Sequence, residues 1–147
     1  MYYALACEVI EHNRTLGLVS LALVAEDERA LYVQNSSFDF MQGDQDTLAP
    51  WATYEEIGSI VRAFLKQDID PTPQFWAYYG AHDFVAFCQV LGPCRPSSFP
   101  PYFNELRQAL DAQGKYECTP PIEPRHALDR ARWVKHIVAE MIYPEDL

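Results

Sequence analysis

Glu8 lies in the stretch ALACEVIE, residues 4–11, an apolar run that alternates like a strand and carries one carboxylate where such a strand is most buried. An ionised group in that place has to be paired, hydrogen-bonded or set against a cation, because burying it alone is too costly. A second acid, Asp83, follows His82 in GAHDF. The two are not read as an acid–base couple, since side chains adjacent in sequence diverge at a helix start. Trp76, Tyr78 and Tyr79, just upstream, are either a base-stacking platform or plain core aromatics, and the core reading is favoured. Asp39, Asp44 and Asp46 lack the order of a calcium loop and read as a solvated loop. Arg107 and Arg95 could flank a groove, and nothing sets them apart from an ordinary surface. Cys7, Cys88, Cys94 and Cys118 show no CxxC or Cys/His ligand spacing, so they are expected to be buried free thiols with no zinc.

These residues need elements to hold them. Residues 2–10, 17–25 and 29–35 have strand character and are separated by polar turns, which predicts an antiparallel three-strand meander. TYEEIGSIVRAFLKQ follows, with Thr53 and Glu56 spaced as a capping box and Ile57, Ile60, Val61, Phe64 and Leu65 on one face of a helix. After Pro71 and Pro73, QFWAYYG reads as a buried strand and HDFVAFCQVLG as a helix stopped by Gly92 and Pro93. YFNELRQALDAQG reads as another helix, and KYECTPPIEP as the place for a short edge strand. HALDRARWVKHIVAEMI reads as a last helix. Strands first and strand–helix alternation afterwards predict an α/β domain with a mixed sheet and helices on both faces, one domain over residues 1–147.

Apolar residues make up 49% of the 147, enough for a core without disulfide or metal staples. The formal charge of −10 argues against a broad surface that neutralises many phosphates, while leaving room for a local basic groove. No run of 18 apolar residues and no secretory leader pattern is present, so the expectation is a soluble, cytoplasmic protein without a membrane contact.

Five strings carry a resemblance over nearly the full length: ACEVIE (6–11), LVSLALVAEDERALYV (18–33), FWAYYGAHDFVAFCQVLGP (75–93), NELRQ (104–108) and HALDRARW (126–133). Through them the chain resembles the DEDD-type 3′-5′ exoribonucleases of the RNase AS kind, a DnaQ-like branch of the ribonuclease H-like nucleases. The resemblance implies a ribonuclease H-like three-layer domain. It also implies a site in which Asp-x-Glu of the first strand, a second aspartate opening a helix, and a histidine and last aspartate on the final helix work together. The four carboxylates would hold two metal ions and the histidine would act as general base; paired cations of this kind stabilise both the attacking and the leaving oxygen at phosphorus.

Carried over position by position, Glu8 matches the glutamate of the first motif, but its partner position holds Ala6. Asp83 matches the second aspartate. An ungapped match of the last helix puts Arg125 in place of the histidine and Arg130 in place of the last aspartate. Arginine neither gives up its proton nor ligates magnesium. A one-residue slip would offer His126 and Asp129 as substitutes, but one step along a helix turns a side chain by about 100°, away from the face of Arg130. The resemblance therefore implies a former active site of Ala6, Glu8, Asp83, Arg125 and Arg130 with no catalytic set intact, no cofactor, and at most weak metal binding by Glu8 and Asp83. The expected function is a catalytically inactive, exoribonuclease-like binding or assembly module for a protein partner, with single-stranded RNA or nucleotide binding retained in the old groove. Family habit adds homodimerisation. The alternative is an active exoribonuclease using magnesium or manganese, in which Ala6 is an engineered or compensated change and His126 and Asp129 supply ligands.

Overall fold

In the computed structural model, which describes residues 1–12, 15–36, 51–68, 73–92, 102–120 and 127–144, the chain opens with β1 (Tyr2–His12), β2 (Thr15–Ala25) and β3 (Ala30–Asn35). They form the antiparallel meander that the alternation predicts. A two-residue strand β4 (Trp51–Ala52), which the sequence did not signal, lies parallel to the end of β3. Helix α1 (Tyr54–Leu65) starts at the Thr53–Glu56 capping box: Thr53 Oγ1 accepts from the Glu56 N–H at 3.3 Å, and Glu56 Oε1 accepts from the Thr53 N–H at 3.2 Å.

The second half adds β5 (Gln74–Ala77) and helix α2 (Ala81–Leu91), then β6 (Tyr102–Glu105), α3 (Leu106–Ala112) and α4 (Ala127–Ile137). The six strands lie in the order β4-β3-β2-β1-β5-β6, with β1, β5 and β6 mutually parallel. Alternation along β1 divides the core. Tyr3, Leu5 and Cys7 face α1 and α2, together with Ile57, Val61, Phe75 and Phe87. Tyr2, Ala4 and Ala6 face α3 and α4, together with Leu106, Leu110, Ala131 and Val134. Helices thus cover both faces of a mixed sheet.

Three sequence expectations are corrected. YFNELRQALDAQG is not helical throughout: Tyr102–Glu105 pair with β5, and the helix begins only after Glu105, whose carboxylate accepts from the Gln108 N–H at 2.7 Å. Local helical preference here yields to a parallel ladder that buries aromatic rings, with Phe103 against Phe75 and Phe84. Residues 115–120 hold no strand, and the rest of the proposed edge strand, 121–124, lies outside the described residues. The last helix changes to a π-helical segment over Val138–Ile142. No described helix is long and apolar enough to cross a membrane.

Gly58 sets how closely α1 approaches α2, because a Cβ there would stand 2.7 Å from the Val90 carbonyl oxygen. Gly58→Ala is expected to lower stability by about 1–2 kcal/mol: overpacking costs about 1–3 kcal/mol, partly offset by the better helix propensity of alanine, worth up to about 1 kcal/mol. Urea denaturation of the variant beside the parent protein measures this.

Candidate functional site

β1 and β5 run side by side only over Tyr2–Ala4 and Gln74–Trp76. Beyond Ala4 the strands part, and a crevice opens at their carboxyl ends, the usual place for a ligand in an open α/β sheet. Asp83, in the first turn of α2, fills the gap: its Oδ1 accepts from the Cys7 N–H at 3.1 Å, taking the backbone donor that a neighbouring strand would otherwise use. The β1 backbone also bulges between Glu8 and Val9. Such a bulge re-aims the side chains beside it. Glu8 Oε1 accepts from Ser20 Oγ, its cross-strand partner on β2, at 2.9 Å.

From the other face comes Arg130 of α4. Its Nη2 donates to the Tyr78 carbonyl at 2.8 Å, which ties the helix to the turn after β5. Glu8, Asp83 and Arg130 line one cleft of about 350 Å³ together with Cys7, Val9, Tyr79 and His82. Its rim includes His82, whose Nε2 lies 3.0 Å from Glu11 Oε1, an ion pair only when the imidazole is protonated.

Asp83 is 4% exposed, and its Oδ2 has no hydrogen-bond partner. Burial pushes its pKa up to about 6; the Arg130 charge, the Cys7 N–H and His82 pull the other way without prevailing. The Cys7 thiol is held well above its ordinary range by burial and then by the Asp83 charge, so it stays protonated and unreactive.

The remaining sequence candidates are placed as follows. Ala6 is 1% exposed and packs among the α4-facing apolar residues, so the first motif contributes one carboxylate. Asp129 is exposed on α4 and does not line the cleft, whereas its neighbour Arg130 does. Arg125 and His126 lie outside the described residues, as do Arg95, Cys94, Asp39, Asp44 and Asp46. Trp76 and Tyr78 are core, but Tyr79 is 66% exposed at the cleft, a division the sequence did not resolve. Cys7 is the buried thiol; Cys88 and Cys118 are only half-buried, a correction to the expectation for all four. Arg107 is corrected as a groove residue. It is buried against Tyr78, donates to the Lys115 and Cys118 carbonyls at 2.8 and 2.7 Å, and anchors the chain after α3. Sequence reasoning missed Ser20 and Glu105, whose roles depend on partners distant in the chain.

Among the described residues no three His, Cys, Asp or Glu side chains are grouped so as to hold a metal ion. The guanidinium of Arg130 sets one fixed positive charge beside the two carboxylates of the same cleft.

Because folding raises the Asp83 pKa from 3.8 to about 6, the native state takes up a proton that the unfolded chain does not. Its contribution to stability therefore falls as pH rises from about 4 to about 6 and stays low above that. Asp83→Asn is expected to remove that slope and to gain about 1–3 kcal/mol above pH 6. Denaturation of parent and variant at pH 4.5 and 7.5 checks it, since the other carboxylates cancel in the difference.

No protein-family model matches the chain. Two curated proteins of Mycobacterium tuberculosis, from strains CDC 1551 and H37Rv and each named 3′-5′ exoribonuclease, are 32% identical to it, over 90% of this chain and 88% of theirs.

Proposed function

This chain belongs to the family of those 3′-5′ exoribonucleases, and from that premise we propose that it is a member that holds the end of a single-stranded RNA or a nucleotide without hydrolysing it, as a binding or assembly module. The observation that carries this is Arg130 lining the cleft with Glu8 and Asp83. A guanidinium matches phosphate with a planar fork of donors and needs no metal to do so. Ala6 supports the same reading, since a buried methyl on the strand that bears Glu8 offers nothing to a cation. The layers and strand order fit a ribonuclease H-like domain, the scaffold we infer for it.

The formal charge of −10 suits a protein partner for the rest of the surface, with RNA contact confined to a few terminal nucleotides. No magnesium or manganese is needed for this function. Arg130 anchors phosphate, and Glu8 and Asp83 serve as acceptors for ligand hydroxyl or amino protons.

Labelled oligoadenylate incubated with the pure protein and manganese is expected to stay full length, while fluorescence anisotropy detects its binding even in EDTA. Arg130→Gln should weaken that binding about 10- to 150-fold, as loss of a charge-assisted contact does. Progressive 3′ shortening that disappears in Glu8→Gln would overturn the proposal in favour of a metal-dependent enzyme.

A further inference from the structure

Tyr79 is one of two described residues other than glycine with positive φ, at 50°. A bulky side chain in the left-handed region is strained, and such a residue persists only where its surroundings over-determine it. Here they do. Glu105 uses one carboxylate oxygen to accept from the Tyr79 N–H and the other to cap α3. Arg130 holds the preceding carbonyl, of Tyr78. The Tyr78 ring is clamped edge-on by Trp133 at 5.2 Å and lies under the Arg107 guanidinium at 5.8 Å. Behind the turn, a Cβ on Gly80 would stand 2.7 Å from the Ala77 Cβ and 2.8 Å from the Phe84 ring, so the chain is pressed against its own core.

All this order serves a side chain that is itself 66% exposed. Burial does not account for the strain, since an exposed ring gains little from folding. The ring lies at the cleft that holds Glu8, Asp83 and Arg130, and its neighbour Tyr78 meets it edge-on at 4.8 Å, bracing it from behind. We propose that Tyr79 is a fixed stacking platform for the base of the terminal nucleotide whose phosphate Arg130 holds, a specificity-determining residue for ligands that carry an aromatic base. This rests on the RNA-end reading above. Every base has a π-face, so the platform selects for the presence of a base over its identity.

Two variants separate the ring from the backbone. Tyr79→Phe keeps a ring; Tyr79→Asn removes it while retaining a residue that tolerates positive φ. Anisotropy would be measured in EDTA with labelled pentaadenylate and with the same oligomer ending in an abasic ribose. The expected result is that Tyr79→Phe binds pentaadenylate like the parent and Tyr79→Asn binds it about 5- to 100-fold more weakly, the value of one stacked base. All three proteins should bind the abasic-ended probe alike. If Tyr79→Asn matches the parent on pentaadenylate, or loses as much on the abasic probe, the platform is overturned while the RNA-end reading stands. If the parent binds neither probe, both fall.

Discussion

The hydrogen bond from the Cys7 N–H to Asp83 is the junction on which the site depends. It forms where β1 leaves β5, and it fastens the first turn of α2 to the one stretch of β1 that has lost a strand neighbour on that side. Without an acceptor there, a buried backbone donor would be unsatisfied, at a cost of about 1–3 kcal/mol. The same contact fixes which way α2 points its amino end and so where His82 and the preceding turn lie. It leaves Asp83 with one oxygen engaged and the other, Oδ2, without a protein partner in a cleft.

Charge follows from that geometry. Two carboxylates brought together from β1 and α2 call for positive charge, which can come from a bound ion or from the protein. Arg130 supplies it covalently, from a helix packed on the opposite face of the sheet. A resident guanidinium is present at every metal concentration and cannot be chelated away. What it cannot do is polarise water or bind both oxygens of a displacement at phosphorus, which is the work of paired cations.

The scaffold was legible because its signals are local. Alternation in β1 to β3, the Thr53–Glu56 box and the apolar stripe of α1 each depend on neighbours a few residues away. What was not legible depends on distant partners. Tyr102–Glu105 look helical until β5 is beside them, and Arg107 looks like surface until Tyr78 and the Lys115 and Cys118 carbonyls surround it. At the site, Glu8 drew attention as a carboxylate in an apolar strand, and helical geometry separated Arg130 from Asp129. The left-handed turn at Tyr79 had no such signal, because three neighbouring aromatics give no clue to which one the backbone will turn outward.

The two halves of the core explain why a site of this kind can change its charge without losing its fold. Each large apolar side chain fully buried on either face of the sheet contributes about 1.5–3 kcal/mol, and both clusters hold many such residues. The strain at one left-handed residue is about 1–3 kcal/mol, and an ionised, poorly solvated Asp83 costs a similar amount. These are losses the sheet and its helices can carry, and they are concentrated at the crevice where β1 and β5 separate. A fold that gathers its unfavourable terms around one opening has a place where a ligand can relieve them. An incoming donor would satisfy Asp83, and a base would cover the exposed ring, so that binding recovers free energy that folding left unclaimed.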